Sequence, residues 1–344
     1  MQVRALLVVL PLVLLPGGAH ASSERLTLQE QVGQLVVMSF RGTKAPEYVL
    51  AALREKRSAG VILFGGNVRS PGQLRALTGS LRQAGGRPVV AVDQEGGHVR
   101  RVPWVGPLRS EAAQAAAGAV RSEAAAAARE LRALGITVNL APVADVPTVS
   151  HAALASRAFS RDPALVSASV PAAVRGWQAS GIAAAAKHFP GLGGAAANTD
   201  DAVVRIPRSR AELEQVDLAP FRAAVGAGVG LVMVGHARYP ALDRYRIASQ
   251  SKPIIDGILR GELGFDGVVV TDSLEARASL STGSLAIVAE RAIRAGVDLV
   301  LLTGRGSYRP VYDHLLAVAR TDPAFRARVR ESAVRVLALK AGVR

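Results

Sequence analysis

The 344-residue sequence predicts an α/β protein built as a single closed (β/α)8 barrel. Three observations carry that expectation. Eight short runs dominated by Val, Ile, Leu and Ala recur along the chain, spaced widely enough for a helix between each pair. The runs are continuous rather than alternating, as strands buried on both faces require. No Pro/Ser-rich linker or break in composition divides the chain. An open doubly wound sheet is the competing architecture, but the Gly-x-Gly-x-x-Gly turn of dinucleotide folds does not follow the first strand.

In chain order, Arg4 precedes an almost unbroken apolar run over residues 5–15, and Ala19-His20-Ala21 offers a small-x-small cleavage site. This is the layout of a secretory signal peptide, and the run is too short to span a bilayer comfortably. Residues 1–21 are expected to be removed, leaving 22–344 as one secreted or extracytoplasmic domain; an uncleaved anchor is the alternative. No later stretch combines membrane-span length with freedom from charge and helix breakers.

The eight strand candidates are 35–40, 60–64, 88–93, 136–145, 182–188, 230–236, 267–272 and 297–303. Helix ends are readable between them. Ser70 caps a helix that begins at Pro71, where a missing N–H costs nothing, and Gly85-Gly86 closes it. Asp162-Pro163 repeats the device, with an end near Gly181. Ser209-Arg210-Ala211-Glu212 has the spacing of a capping box, in which hydroxyl and carboxylate satisfy orphan backbone donors reciprocally. A long helix through 326–341 closes the domain.

With 49% hydrophobic and 20% charged residues, the chain is globular rather than disordered. The absence of Cys excludes disulfides, thiolate zinc sites and Cys nucleophiles. The net charge of +15, from 42 basic and 27 acidic residues, can favour anionic partners. Those charges are scattered, however, and aromatics make up only 4%, so no nucleic-acid module is visible. A composition rich in Ala and Arg accounts for the charge as well as a binding role does.

In such barrels the active site lies at the C-terminal ends of the strands. Five of the eight runs end there in ionisable groups: Asp93, Asp145, Lys187-His188, His236 and Asp272. Asp93-Gln94-Glu95-Gly96-Gly97 places a short carboxylate beside glycines that permit close backbone approach; a capped turn is the plain structural reading. Glu95 is as suited to bracing that loop as to touching a ligand. Lys187 ends an apolar run, and a buried cation requires a partner or a ligand. For His236 a hydrogen bond to a neighbouring loop is the simpler reading. Asp272, closing the run 267–272, suits either a helix N-cap or the carboxylate that attacks a sugar's anomeric carbon.

Four segments together resemble the family-3 glycoside hydrolases: residues 93–97, Lys187-His188-Phe189-Pro190-Gly191, residues 234–243 and residues 267–274. They occur in order over nearly the whole mature chain, and the branch they resemble is that of single-domain bacterial β-N-acetylglucosaminidases. The resemblance implies a retaining glycosidase that releases terminal β-linked N-acetylhexosamine from cell-wall or related glycans. It implies Asp272 as nucleophile, sugar contacts from Asp93, Arg101, Arg157, Lys187 and His188, and no cofactor or metal. One loop departs from the pattern. The branch carries an Asp-Ser-His acid/base segment where this chain has Asn198-Thr199-Asp200. Asn198 stands for the orienting Asp and Asp200 for the His, so the acid falls to Asp200, with Asp201 as its neighbouring competitor. Gly and Ala in residues 193–197 suggest a flap that closes over substrate.

Two other classes remain open at this point. A sugar-binding homologue that kept the cleft and lost its acid is one, with a β-glucosidase-like specificity as a variant of the enzyme reading. A metal-dependent hydrolase is the other, but the six His include neither His-x-His nor His-Glu-x-x-His spacing. The expected partner is a carbohydrate, not nucleic acid, and the expected state is a monomer.

Overall fold

The computed structural model describes residues 26–343, so the expected signal peptide lies outside the described residues. Eight parallel strands close into a barrel: β1 (Val36–Met38), β2 (Gly60–Ile62), β3 (Val89–Val92), β6 (Val138–Asn139), β7 (Ala183–Phe189), β8 (Leu231–Val234), β9 (Val268–Ser273) and β10 (Leu299–Leu302). Each expected run supplies one of them. The first and last strands pair directly, Val37 opposite Leu301, which completes the ring. A short antiparallel hairpin, β4 (Gln94–Gly96) and β5 (Val99–Arg100), rises from the end of β3. The open-sheet alternative is excluded.

Strand periodicity divides the core into two layers. Val37, Ile62, Ala91, Val138, Ala185, Met233, Val270 and Leu299 fill the barrel interior. Their sequence neighbours Val36, Val61, Val90, Ala184, Val232, Val269 and Val300 pack outward against the helices. Every strand is buried on both faces, which is why the runs do not alternate in polarity.

The helix caps form as expected. The Ser70 hydroxyl accepts from Gln73 N at 3.2 Å, and the helix Pro71–Gly85 ends at Gly86 with φ +67°. Asp162 caps the helix Pro163–Ala179 by accepting from Ala164 N at 2.9 Å. Both halves of the Ser209–Glu212 capping box are present. The terminal helix Pro323–Gly342 starts at an Asp322 cap that also separates it from the helix Tyr308–Thr321.

The structure shortens one expected strand. Residues 136–145 form a regular strand only at Val138–Asn139, and Pro142 has no N–H to donate to a ladder. A single bridge, Val143 opposite Lys187, keeps that segment against β7. The irregularity sets the position of Asp145.

At the N-terminal end of the barrel, fully buried Asp298 gathers Arg260 at 2.6 Å, Arg328 at 2.7 Å and Arg335 at 3.1 Å. It also accepts from Ser332 Oγ and Val269 N, tying β9 and β10 to the terminal helix. Burial alone would push this carboxyl up, but the three guanidiniums hold it below the usual range. Replacing Asp298 with Ala would leave three cations converging on an unoccupied centre. The expected cost is about 3–5 kcal/mol, read as a lowered midpoint in urea unfolding. An unchanged midpoint would show that the cluster is not a tie.

Candidate active site

Strand parity aims the site. Val89 and Ala91 point into the barrel, so Asp93, two residues on, continues that direction at the mouth. Ala183 and Ala185 do the same for Lys187, and Val268 and Val270 for Asp272. Three functional groups thus converge because each replaces the next interior apolar residue of its strand.

Lys187 is buried, and its ammonium lies 2.7 Å from Asp93 Oδ1 and 2.7 Å from Glu95 Oε1. Arg157 grips Glu95 bidentately, Nε to Oε2 at 2.9 Å and the terminal nitrogen to Oε1 at 2.7 Å. Arg101 approaches Asp93 Oδ2 at 3.7 Å, with its guanidinium 5.8 Å from the Phe64 ring centroid. The hairpin that carries Glu95 turns at Gly96 (φ +115°) and Gly97 (φ +57°), where a side chain would be strained. A Cβ at Gly96 would stand 2.3 Å from the Arg109 carbonyl oxygen. Beneath the cluster, Glu111 accepts from Val143 N at 3.0 Å; burial, reinforced by Glu95, pushes its carboxyl well above the normal range.

His188 is held by Asp145. Its Nδ1 lies 2.7 Å from Asp145 Oδ2, and Asp145 also accepts from the backbone N–H of His188 and Leu192. That arrangement leaves His188 Nε2 facing Asp272 Oδ2 at 3.9 Å. Asp272 accepts from Ser273 N at 2.7 Å. Burial works against its ionised form, yet His188, His236 and the Ser273 N–H outweigh burial and lower its pKa. Asp272 therefore stays a carboxylate.

The loop after β7 brings the opposite case. Asn198 Nδ2 donates to Asp200 Oδ2 at 3.1 Å, and Asp200 N donates back to Asn198 Oδ1 at 3.3 Å. The Thr199 and Asp200 carbonyls accept from Ala278 N and Arg277 N, which fastens the loop over the segment following Asp272. Burial, then the charge on Asp272, raises the Asp200 pKa. The loop expected to act as a flap is tied by these main-chain bonds to residues 277–278.

Asp93, Glu95, Arg101, Arg157, Lys187, His188, Asn198, Asp200 and Asp272 line one cavity of about 390 Å³. Of the residues singled out from sequence, His236, Asp201 and Asp145, which holds His188, do not line it. His236 is buried with both nitrogens engaged, Nδ1 with Ser249 Oγ at 2.8 Å and Nε2 with the Ser273 carbonyl at 2.9 Å. Burial pushes its pKa down, and its ring braces the end of β9. Asp201 is exposed and does not line the cavity. Reading by residue assigned no part to Glu275, which also lines the cavity and accepts from Thr303 N at 3.0 Å and Gly304 N at 2.8 Å. Its place three residues beyond Asp272 was the available signal. No group of three His, Asp or Glu among the described residues is arranged to hold a metal ion. No described helix is long and apolar enough to cross a membrane.

A barrel with acidic and basic side chains converging at its C-terminal mouth is the layout of an enzyme's active site, and comparison with known proteins makes the class specific. Residues 27–339 match the glycosyl hydrolase family 3 N-terminal domain. The chain is 37% identical over 279 residues to a beta-hexosaminidase of Xanthomonas oryzae, covering 78% of this chain and 83% of that protein. A family 3 beta-N-acetylglucosaminidase structure from Paenibacillus superposes with a TM-score of 0.87 at 36% identity, over 92% of this chain. This chain spans 62% of the Paenibacillus protein. The beta-N-acetylhexosaminidase of Beutenbergia cavernae gives 0.85 at 34% identity, with 92% and 99% covered. The chain belongs to glycosyl hydrolase family 3, and its enzyme class is glycosidase.

The Glu95 cluster makes a pH prediction. Burial raises the Glu95 carboxyl, but Lys187 and Arg157 more than offset it and hold it at about 2, against an ordinary 4.5. A folded value below the unfolded one means stability that is complete above pH 4.5 and lost as pH falls toward 2. The difference in unfolding midpoint between wild type and Glu95→Gln should therefore shrink across that window. A constant difference from pH 6 to 2.5 would contradict the ion-pair account.

Proposed function

We propose that the protein is a retaining β-N-acetylhexosaminidase that releases terminal N-acetylglucosamine, with Asp272 as nucleophile and Asp200 as acid/base. The observation that carries this reading is a pair of carboxyls lining one cavity, with environments that push their pKa values in opposite directions. Retaining hydrolysis needs that division: an ionised group to attack the anomeric carbon, and a protonated one to donate to the leaving oxygen. The names of the relatives support the choice of sugar.

In this mechanism Asp93, Arg101, Arg157 and Lys187 hold the hydroxyls of the terminal sugar. Asp272 attacks C1 and forms a glycosyl ester as the C1–O bond breaks, while Asp200 gives its proton to the departing oxygen. Asp200, now ionised, takes a proton from water, which attacks C1 and releases Asp272. His188, fixed by Asp145, faces the nucleophile and supports its negative charge. The chemistry draws on side chains alone. The signal-like N-terminus supports export with a mature chain from Ser22, and cell-wall glycans as the source of substrate.

The nucleophile is tested by trapping. A 2-fluoro N-acetylglucosaminide analogue should leave a sugar on Asp272, identified by peptide mass spectrometry, and Asp272→Asn should lose turnover by several orders of magnitude. Label on another carboxylate would overturn the assignment. A silent sugar-binding protein would bind the analogue without labelling.

The acid is tested by leaving-group dependence. Asp200→Ala should slow cleavage of an N-acetylglucosamine disaccharide by roughly 10²–10⁴-fold. It should spare the first step on a dinitrophenyl glycoside, and azide should restore turnover there. Equal losses on both substrates without azide rescue would remove Asp200 from the role.

A further inference from the structure

At the N-terminal end of the barrel, where the chain enters β3 and β6, lies a cavity of about 470 Å³. Those strands stand across the ring from β9 and β10, so this is a different part of the barrel floor from the Asp298 cluster. The sugar cavity begins at the opposite end of β3, with Asp93. We propose that the floor cavity binds a small phosphate monoester with an apolar body, its phosphate held by Arg82, Arg87 and Arg132.

Charge selects the head group. Four cations line the cavity, Arg82, Arg87, Arg132 and Lys340, and no Asp or Glu does. None of the four has a carboxylate partner among the described residues, whereas Arg210 and Arg294 pair with Glu214 and Glu290. Lys340 turns its ammonium to the neutral Gln34 Oε1 at 2.9 Å, and burial pushes it down to about 8 with no carboxylate to oppose the shift. Arg132 spends one N–H on the Ser180 carbonyl at 3.3 Å. Arg82 and Arg132 sit in the last turns of the helices Pro71–Gly85 and Val120–Ala133, where the helix dipole itself favours a cation. Arg87 belongs to neither helix. Three guanidiniums against about half a negative charge at each helix end leave roughly two positive charges. That matches the near-dianion of a phosphate monoester, whose three terminal oxygens suit planar donors.

The wall selects the body. The three arginines are exposed, whereas Pro88 and Ile136 are buried and Leu339 and Val343 half-buried. An occupant therefore keeps its charge at the rim and its apolar part inside. The two hydroxyls in the lining are spent on the main chain. Thr78 Oγ1 donates to the Leu134 carbonyl at 2.8 Å, and Thr137 Oγ1 accepts from Val90 N at 2.8 Å. The interior thus offers little to a sugar's hydroxyls, unlike the cavity around Asp93. Apolar within and charged at one edge, it has the size and lining of a small-molecule pocket.

Calorimetry with three probes tests this: phenyl phosphate, inorganic phosphate and benzoate. Phenyl phosphate should bind roughly tenfold tighter than inorganic phosphate, the worth of burying its ring. It should also exceed benzoate roughly tenfold, through its second charge, and weaken with added salt. The triple variant Arg82→Gln/Arg87→Gln/Arg132→Gln should lose roughly tenfold or more in affinity for it, with an unchanged urea midpoint. Hydrogen exchange on the wild type locates the probe without any variant: bound phenyl phosphate should protect amides around Arg87 and Ile136. Inorganic phosphate binding as tightly as phenyl phosphate would mark an adventitious ion only and overturn the site. Benzoate binding as tightly, or an affinity that the triple variant keeps, overturns it as well. So does protection around Arg101 and Arg157 in the sugar cavity instead, or no protection by phenyl phosphate anywhere.

Discussion

A lysine ammonium held in the mouth of an apolar barrel is the constraint on which the site depends. Taking that charge out of water is tolerable only if anions meet it within hydrogen-bond distance. Asp93 meets it from the end of β3, across β6, and Glu95 from the hairpin, and Glu95 in turn requires Arg157. One buried cation thereby fixes the loops after β3, β5 and β6 relative to β7. The donors left over at that network are those a sugar's hydroxyls would meet. Preorganisation and binding here are the same set of contacts seen from two sides.

The two ends of the barrel divide their tasks. At the N-terminal end Asp298 is saturated by three guanidiniums, a hydroxyl and a backbone amide, and nothing there is spare. At the C-terminal end Asp272 accepts from a single backbone amide, and the remainder of its carboxylate faces the cavity. Both residues are Asp beside a buried strand, and both have lowered pKa values. What separates the anchor from the proposed nucleophile is the number of donors around each.

The barrel was legible because a parallel strand buried on both faces has an unmistakable composition, and parity then carried Asp93, Lys187 and Asp272 to the mouth. The resemblance brought Arg101, Arg157 and Asp200 to the same cavity, which local pattern had no means to do. Glu95 was undecidable from sequence because its role depends on Arg157, 62 residues away. Asp145 was visible only as a strand-end acid, since the regular strand stops at Asn139 and its partner His188 lies on a different strand. Glu275 was missed because its contacts are backbone amides at Thr303 and Gly304, which have no signature in residue type.

The loop that carries Asp200 is fastened by main-chain bonds, from the Thr199 and Asp200 carbonyls to Ala278 and Arg277. Its anchor points follow Asp272 by only a few residues, so the proposed acid and the proposed nucleophile share one local frame. Those two bonds are made by peptide groups, while the Asp200 side chain adds its own contact to Asn198. The main-chain part of that fastening would be the same with a carboxyl or an imidazole at position 200.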